Sequence, residues 1–148
     1  MAPPLIYLPL IFNLKLPISN IKLCAQDAFY EKSGAYTGEI SPSQLKFYGV
    51  KLVIVGHSER RTLGETDEIV NKKLRTVLAS GLKAVFCVGE KEKIKDAAFP
   101  AVIRDELRFG LKKIKKSFFK NLIIAYEPIW AIGAGKGDAP KDIYEMTL

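Results

Sequence analysis

Four apolar runs of strand length recur along this chain, and their spacing is the strongest constraint on its fold. They begin about 30 residues apart, which is the length of one strand-and-helix unit. Each run is nearly continuous in apolar residues, as is typical of parallel strands that are buried on both faces. The runs cover residues 21–26, 51–56, 82–89 and 121–126. The pattern therefore predicts an α/β fold with a parallel sheet and right-handed crossovers.

Helix signals occupy the intervals between these runs. Ser41 and Pro42 form an N-cap and first-turn pair, and a second helix is expected to open at Thr66 and to end before Gly81. A third helix is predicted over about residues 100–116. No linker or low-complexity segment interrupts the 148 residues, so we expect a single domain over residues 1–148.

The chain has a net charge of +7, which would suit an anionic partner such as a phosphorylated metabolite or a nucleic acid. Four lysines cluster near the end of the third predicted helix, at positions 112, 113, 115 and 116. No aromatic residues alternate with them, so the cluster is more typical of a solvated helix end than of a nucleic-acid surface. We therefore expect no nucleic-acid partner.

The cysteine and histidine content argues against a disulfide scaffold and against a zinc site. Cys24 and Cys87 each lie inside an apolar run, which indicates two buried free thiols in a reducing compartment. The chain has one histidine and no clustered cysteines, so it offers no zinc-binding spacing. We expect no metal and no cofactor.

The first twelve residues are apolar but do not resemble a signal peptide or a membrane span. They have no basic residue, and prolines at positions 3, 4 and 9 interrupt them. The segment is also shorter than the roughly 20 residues needed to cross a bilayer. We expect it to be core structure, and we expect a cytoplasmic protein with no membrane partner.

Polar residues follow the second and fourth apolar runs at the point where each strand is predicted to end. His57, the only histidine, opens the cluster 57–61, and Glu127 follows the fourth run. The carboxyl ends of parallel strands share one edge of the sheet, which is where α/β enzymes usually place their chemistry. One strand separates these two ends, so they should lie about 10 Å apart, with room for a small substrate.

The segment after Glu127 has the composition of a lid. Pro128 ends the strand, an apolar patch covers residues 129–132, and Gly133 begins a Gly-Ala-Gly hinge. A carboxylate at the base of such a loop favours a general base under a water-excluding lid. The alternative is a surface loop with a buried tryptophan. The glycines fit neither a Walker loop nor a dinucleotide-binding fingerprint.

Several of these motifs together resemble the triosephosphate isomerase family. The resemblance rests on residues 56–61 (Gly-His-Ser-Glu-Arg-Arg) and 125–133 (Ala-Tyr-Glu-Pro-Ile-Trp-Ala-Ile-Gly), with further matches at 35–41 and 87–91. Residues 2–4 resemble the end of the family's second strand. The family fold is a (β/α)8 barrel of about 250 residues. The resemblance thus implies a partial (β/α)8 barrel of about five parallel strands and four to five helices, running from about the end of the second strand to the start of the sixth helix.

The resemblance also implies a reaction and a role for individual residues. The family, itself the standard example of this carboxylate–imidazole pairing, interconverts dihydroxyacetone phosphate and glyceraldehyde 3-phosphate, a glycolytic and gluconeogenic step. By motif match, Glu127 would be the base, His57 the neutral electrophile and Glu59 a supporting carboxylate. Gly133 would donate a backbone N–H to the substrate phosphate, and Thr37 lies on the loop that inserts into a partner subunit in the family. The matched lid residues are Pro128, Ile129, Trp130, Ala131 and Ile132.

Parts of the family site have no counterpart in the aligned residues. These are the lysine after the first strand and the phosphate-binding amides after the seventh and eighth strands. Loss of such preorganised groups predicts weak or absent isomerase activity in the isolated chain. The alternative function is a non-catalytic truncated barrel fragment or a self-assembling α/β module. Exposed parallel edges would favour a homo-oligomer, or an open and poorly ordered half-barrel.

Overall fold

A computed structural model describes residues 1–14, 20–92 and 100–132 of the chain. The predicted phosphate ligand Gly133 lies outside these ranges. Within them the chain forms a parallel sheet whose four strands stand in chain order and do not close into a barrel. The strands are β1 (Cys24–Ala25), β2 (Leu52–Val55), β3 (Lys83–Val88) and β4 (Leu122–Tyr126). All four predicted strands and the α/β class are confirmed, and the architecture is that of a partial (β/α)8 barrel.

The predicted fifth strand does not form among the described residues. Residues 2–4 are not part of a strand, because Pro3 and Pro4 have no N–H to donate to a neighbouring strand. Met1 nevertheless lies beside β1, where its amino group donates to the Lys22 carbonyl at 3.0 Å. The Met1 carbonyl accepts a hydrogen bond from the Cys24 N–H at 2.9 Å. Together, these two bonds have the pattern of one residue pair in a parallel sheet.

The described ranges contain five α-helices, and the second to fifth lie in the connections between successive strands of the sheet. They are α1 (Leu8–Asn13), α2 (Pro42–Phe47), α3 (Ser58–Thr62), α4 (Asp67–Ala79) and α5 (Ala101–Gly110). Ser41 and Gln44 form the capping box that starts α2, and the Thr66 side chain caps α4. The third predicted helix, over about residues 100–116, is too long at its C-terminal end. The chain leaves the helix at Gly110, and Lys113 adopts a left-handed backbone with φ of 60°.

The N-terminal segment is less buried than expected. Leu8 is buried, but Ile6 and Leu10 are 78% and 56% exposed. The expectation that this segment is core structure therefore holds for Leu8 and fails for most of its apolar neighbours. At the other edge of the sheet, Ile123 and Ile124 of β4 are each 44% exposed. Burial on both faces is seen in β3, which lies between two strands, and not in β4.

The core lies between the sheet and α4, and it sets the positions of the strand ends. Phe86 of β3 is fully buried, as are Val70 and Leu74 of α4 and Val53 of β2. Helix α5 approaches this core at Gly110, where a β-carbon would come within 2.4 Å of the Phe86 ring. Because no side chain stands there, α5 can close over the sheet. The carboxyl ends of β2, β3 and β4 lie side by side because these strands pair in parallel.

Candidate active site

His57 and Glu127 meet at the carboxyl edge of the sheet. His57 follows β2 and Glu127 follows β4, as expected, and their side chains join with 3.0 Å between Nε2 and Oε1. The predicted gap between them is therefore closed by direct contact. The strand between them ends at Val88 and is followed by Gly89, where a β-carbon would lie 1.8 Å from the Glu127 carbonyl oxygen. A glycine at this position allows the main chain of Glu127 to lie against β3.

The hydrogen bonds of His57 define its protonation. The His57 Nδ1 accepts a hydrogen bond from the Glu59 N–H at 3.3 Å, so this nitrogen presents a lone pair. The ring proton then lies on Nε2, which donates to the Glu127 carboxylate. His57 is the N-cap of α3, and this position fixes the orientation of its ring. The arrangement directs the Nε2–H of His57 at the Glu127 carboxylate.

Glu127 is held through both of its carboxylate oxygens. Oε2 accepts the Ser58 N–H at 3.2 Å, and Oε1 lies against His57. The side chain is 17% exposed, so the carboxylate is shielded from most of the solvent. Its position depends on α3, a helix of five residues that the sequence did not predict.

Cys87 lies beside this carboxylate and was not predicted to take part in the site. It is buried in β3, as expected, whereas Cys24, the other thiol expected to be buried, is only partly buried. Burial, and then the neighbouring Glu127 carboxylate, raise the pKa of the Cys87 thiol to about 12. The thiol therefore stays protonated at neutral pH and can donate to Glu127.

The raised pKa of Cys87 predicts a loss of stability at alkaline pH. Its usual value is 9.0, so between pH 9 and about 12 the thiol ionises in the unfolded chain but not in the folded one. Stability from this group is complete below pH 9 and falls as the pH rises toward 12. Urea unfolding across this range should show a shallower decline in Cys87→Ala than in the parent chain. Parallel curves for the two proteins would contradict the prediction.

Glu90 anchors the start of the predicted lid. This buried residue follows Gly89, and its Oε1 accepts from the Tyr126 hydroxyl at 2.7 Å and from Trp130 Nε1 at 2.8 Å. Its carbonyl accepts the Ile129 N–H at 3.1 Å. Residues 129–131 form one 3-10 turn, and Trp130 is half-buried rather than fully buried. From the sequence, Glu90 is no more than a polar residue at a strand end.

Glu59 and Thr37 lie apart from the Glu127 carboxylate. The Glu59 side chain is 86% exposed, with Oε2 3.8 Å from His57 Nδ1, on the side of the ring away from Glu127. A cavity of about 280 Å³ opens on that side, lined by Gln26, Asp27, Ile54, His57, Glu59 and Arg60. Thr37 lies exposed in the loop between β1 and α2.

A charged network supports the strand end that carries His57. The Lys73 ammonium donates to both oxygens of Asp27, at 2.6 and 2.7 Å, and also to Glu65. Arg60 Nε donates to the same Glu65 oxygen at 2.9 Å. Lys73 and Glu65 are buried, so the network ties α4 to α3 and to the segment that follows β1. The sequence alone does not reveal this network, because its members are spread over residues 27–73.

The described part of the chain offers neither a metal cluster nor a membrane-spanning helix. Within residues 1–14, 20–92 and 100–132, no three histidine, cysteine or acidic side chains lie close enough to hold a metal ion. None of the helices in the same ranges is long and apolar enough to cross a membrane.

The comparisons with known proteins agree on one family. The family model described as triosephosphate isomerase matches residues 1–148. The triosephosphate isomerase of Thermoanaerobacter pseudethanolicus is 47% identical over 147 residues, covering 97% of this chain and 58% of the relative. The triosephosphate isomerase of Carboxydothermus hydrogenoformans is 48% identical over 130 residues, which cover 86% of this chain and 52% of the relative. The triosephosphate isomerase of Coprinopsis cinerea is 46% identical over 142 residues, which cover 91% of this chain and 54% of the relative.

The chain spans just over half the length of the curated relatives it matches. The match nevertheless runs through every described strand and both residues of the His57–Glu127 pair. On the family match and the identity to these relatives, the chain belongs to the triosephosphate isomerase family.

Proposed function

We propose that this chain carries the proton-transfer pair of a triosephosphate isomerase site and acts on a small phosphorylated triose. The observation that carries the proposal is the contact between His57 Nε2 and Glu127 Oε1 at 3.0 Å, with Nδ1 occupied by the Glu59 N–H. A carboxylate and a neutral N–H donor side by side are the two groups needed to move a proton next to a carbonyl.

The chemistry follows from the two side chains. When the substrate carbonyl oxygen replaces Glu127 as the acceptor of the His57 Nε2–H, the carboxylate is released to face the adjacent carbon. Glu127 removes the proton from that carbon, and the electrons of the broken C–H bond form the carbon–carbon double bond of an enediolate. The Nε2–H stabilises the charge that develops on oxygen. The hydroxyl proton on the deprotonated carbon then passes to the charged oxygen, and Glu127 returns its proton to the former carbonyl carbon, so that the ketose becomes the aldose.

Substrate entry requires the closed pair to open. Glu127 must give up its bonds to His57 and to the Ser58 N–H before it can face a carbon atom. The segment 128–132, docked on Glu90, would then cover the site and exclude water. By the family resemblance, Gly133 would donate its N–H to the substrate phosphate.

An isomerase assay on the purified 148-residue chain tests this proposal. We expect conversion of dihydroxyacetone phosphate to exceed the rate in buffer alone, although below that of a complete family site. A rate equal to that in buffer would favour the non-catalytic fragment instead.

The link between Glu90 and Trp130 allows a separate test of the lid. Glu90→Leu removes the acceptor that lies 2.8 Å from Trp130 Nε1 and should lower the free energy of unfolding by about 1–3 kcal/mol. Trp130 is the only tryptophan, so quenching of its fluorescence by acrylamide should increase. Glu90→Gln keeps an acceptor oxygen and is the matched control. If Leu and Gln had equal effects, the anchoring role would be wrong.

We also propose that the chain is cytoplasmic and associates with itself. The exposed Ile123 and Ile124 at one edge of the sheet, and Ile6 near the other, favour burial against a second copy. The free thiols Cys24 and Cys87 are consistent with a reducing compartment. A compact monomer in sedimentation velocity would contradict self-association.

A further inference from the structure

We propose that a groove between α4 and the turn after α5 binds a small ligand that carries several linked phosphate groups. The groove has a volume of about 510 Å³ and shares no lining residue with the His57–Glu127 pair. This volume lies in the range of small-molecule sites. Its lining includes one carboxylate, Glu31, and five cations: Lys32, Lys72, Arg75, Lys113 and Lys115.

The cations of the groove are largely uncommitted. All five side chains are exposed, and no ion pair with a carboxylate in the described ranges involves Lys32, Arg75, Lys113 or Lys115. Like charges that converge on one concave surface repel each other and raise the local concentration of anions. A polyanion would relieve that repulsion. The groove is therefore electrostatically complementary to a linear or branched phosphate ligand.

Both walls of the groove are tied to α4. The Asn71 side-chain amide donates to the Gly110 carbonyl at 2.7 Å and to the Lys112 carbonyl at 2.8 Å, which holds the turn that carries Lys113. On the opposite wall, the Thr76 hydroxyl donates to the Tyr30 carbonyl at 2.6 Å. A site whose walls are already in place loses less entropy when a ligand binds.

The backbone of Lys113 supports a role for its side chain. Its φ of 60° lies in the left-handed region, where glycine is favoured and a lysine is strained. Lys113 lines the groove, so the chain has a cation at a position where glycine would cause less backbone strain.

The aromatic residues favour phosphate recognition over base stacking. Proteins that bind single-stranded nucleic acid stack bases on free aromatic rings. The Tyr30 ring instead lies 5.3 Å from the Lys72 ammonium and 4.2 Å from the Phe29 ring, measured to ring centroids. Phe118, the other aromatic residue of the lining, is only partly exposed. We therefore commit to a small polyphosphorylated molecule rather than to a nucleic acid.

Isothermal titration of the full chain with tripolyphosphate at low salt tests this proposal. Tripolyphosphate should bind more tightly than orthophosphate, and added salt should weaken its binding. Arg75→Glu with Lys115→Glu should weaken binding at least about tenfold, because two attractions become repulsions. The matched control is Lys22→Glu with Lys51→Glu, the same change in net charge outside the groove, which should change the affinity less than about twofold.

A second variant separates binding from folding. Lys113→Gly relieves the left-handed strain, so it should melt at a higher temperature than the parent chain and yet bind tripolyphosphate less tightly.

Equal losses of affinity in the two charge-reversal pairs, the groove pair and the control pair, would overturn the proposal, since net charge alone would then explain binding. Tighter binding of a single-stranded RNA oligomer than of tripolyphosphate, lost in the groove pair, would also overturn it.

Discussion

Replacing Glu127 with glutamine should lower isomerase turnover by about 10²–10⁴-fold, the usual contribution of a general base. The amide cannot take up a proton from carbon, but it has the same shape, and its single oxygen can still accept from either His57 or the Ser58 N–H. The loss should therefore appear in kcat more than in KM. Initial rates of dihydroxyacetone phosphate conversion, with circular dichroism to verify folding, measure the effect.

The control for this substitution is Glu68→Gln, a change from carboxylate to amide at an exposed position in the first turn of α4. It leaves the His57–Glu127 pair untouched, so its turnover should stay within about twofold of the parent chain, since surface changes away from a site perturb little. Full turnover in Glu127→Gln would exclude Glu127 as the base.

Replacing Lys73 with methionine should lower the free energy of unfolding by about 3–5 kcal/mol. Lys73 is 4% exposed and binds Asp27 and Glu65, and the Glu65 side chain is itself 6% exposed. Without the ammonium, two neighbouring carboxylates remain in a poorly solvated site with Arg60 as their remaining cationic partner in the network. Urea unfolding followed by circular dichroism measures the loss.

The adjacent Lys72 provides the control, because it is exposed on the same helix. Lys72→Met should cost less than about 1 kcal/mol, the range of exposed charge and cation–π interactions. Adding Glu65→Gln to Lys73→Met removes one uncompensated charge and should recover part of the loss. Equal costs for the two lysines would show that the buried network contributes little to stability.

The strands were predictable from sequence, but the ends of some elements were not. Continuous apolar runs identify buried parallel strands, and four of them formed where expected. Helix α3 was missed because five residues are too few to show a helical period. Helix α5 was predicted too long because Leu111 and Ile114 continue its apolar pattern, whereas Lys113 takes a left-handed backbone.

Part of the candidate site was also predictable from the positions of the strands. Parallel strands place their carboxyl ends at one edge, so the positions of His57 and Glu127 after two apolar runs suffice to assign them to the same edge. The roles of Cys87 and Glu90 could not be assigned in this way, since the thiol beside Glu127 and the acceptor bonded to Trp130 are contacts between residues about 40 positions apart in sequence.

The sequence by itself determined the family, the order of the strands and the two residues that meet at the carboxyl edge. Tertiary structure alone decided that the His57 proton lies on Nε2, that Ser58 holds Glu127, and that Lys73 joins Asp27 to Glu65. The reason is physical: apolar periodicity is a local property of the chain. Hydrogen bonds between residues far apart in sequence depend on strand register and on the rotamers that packing allows.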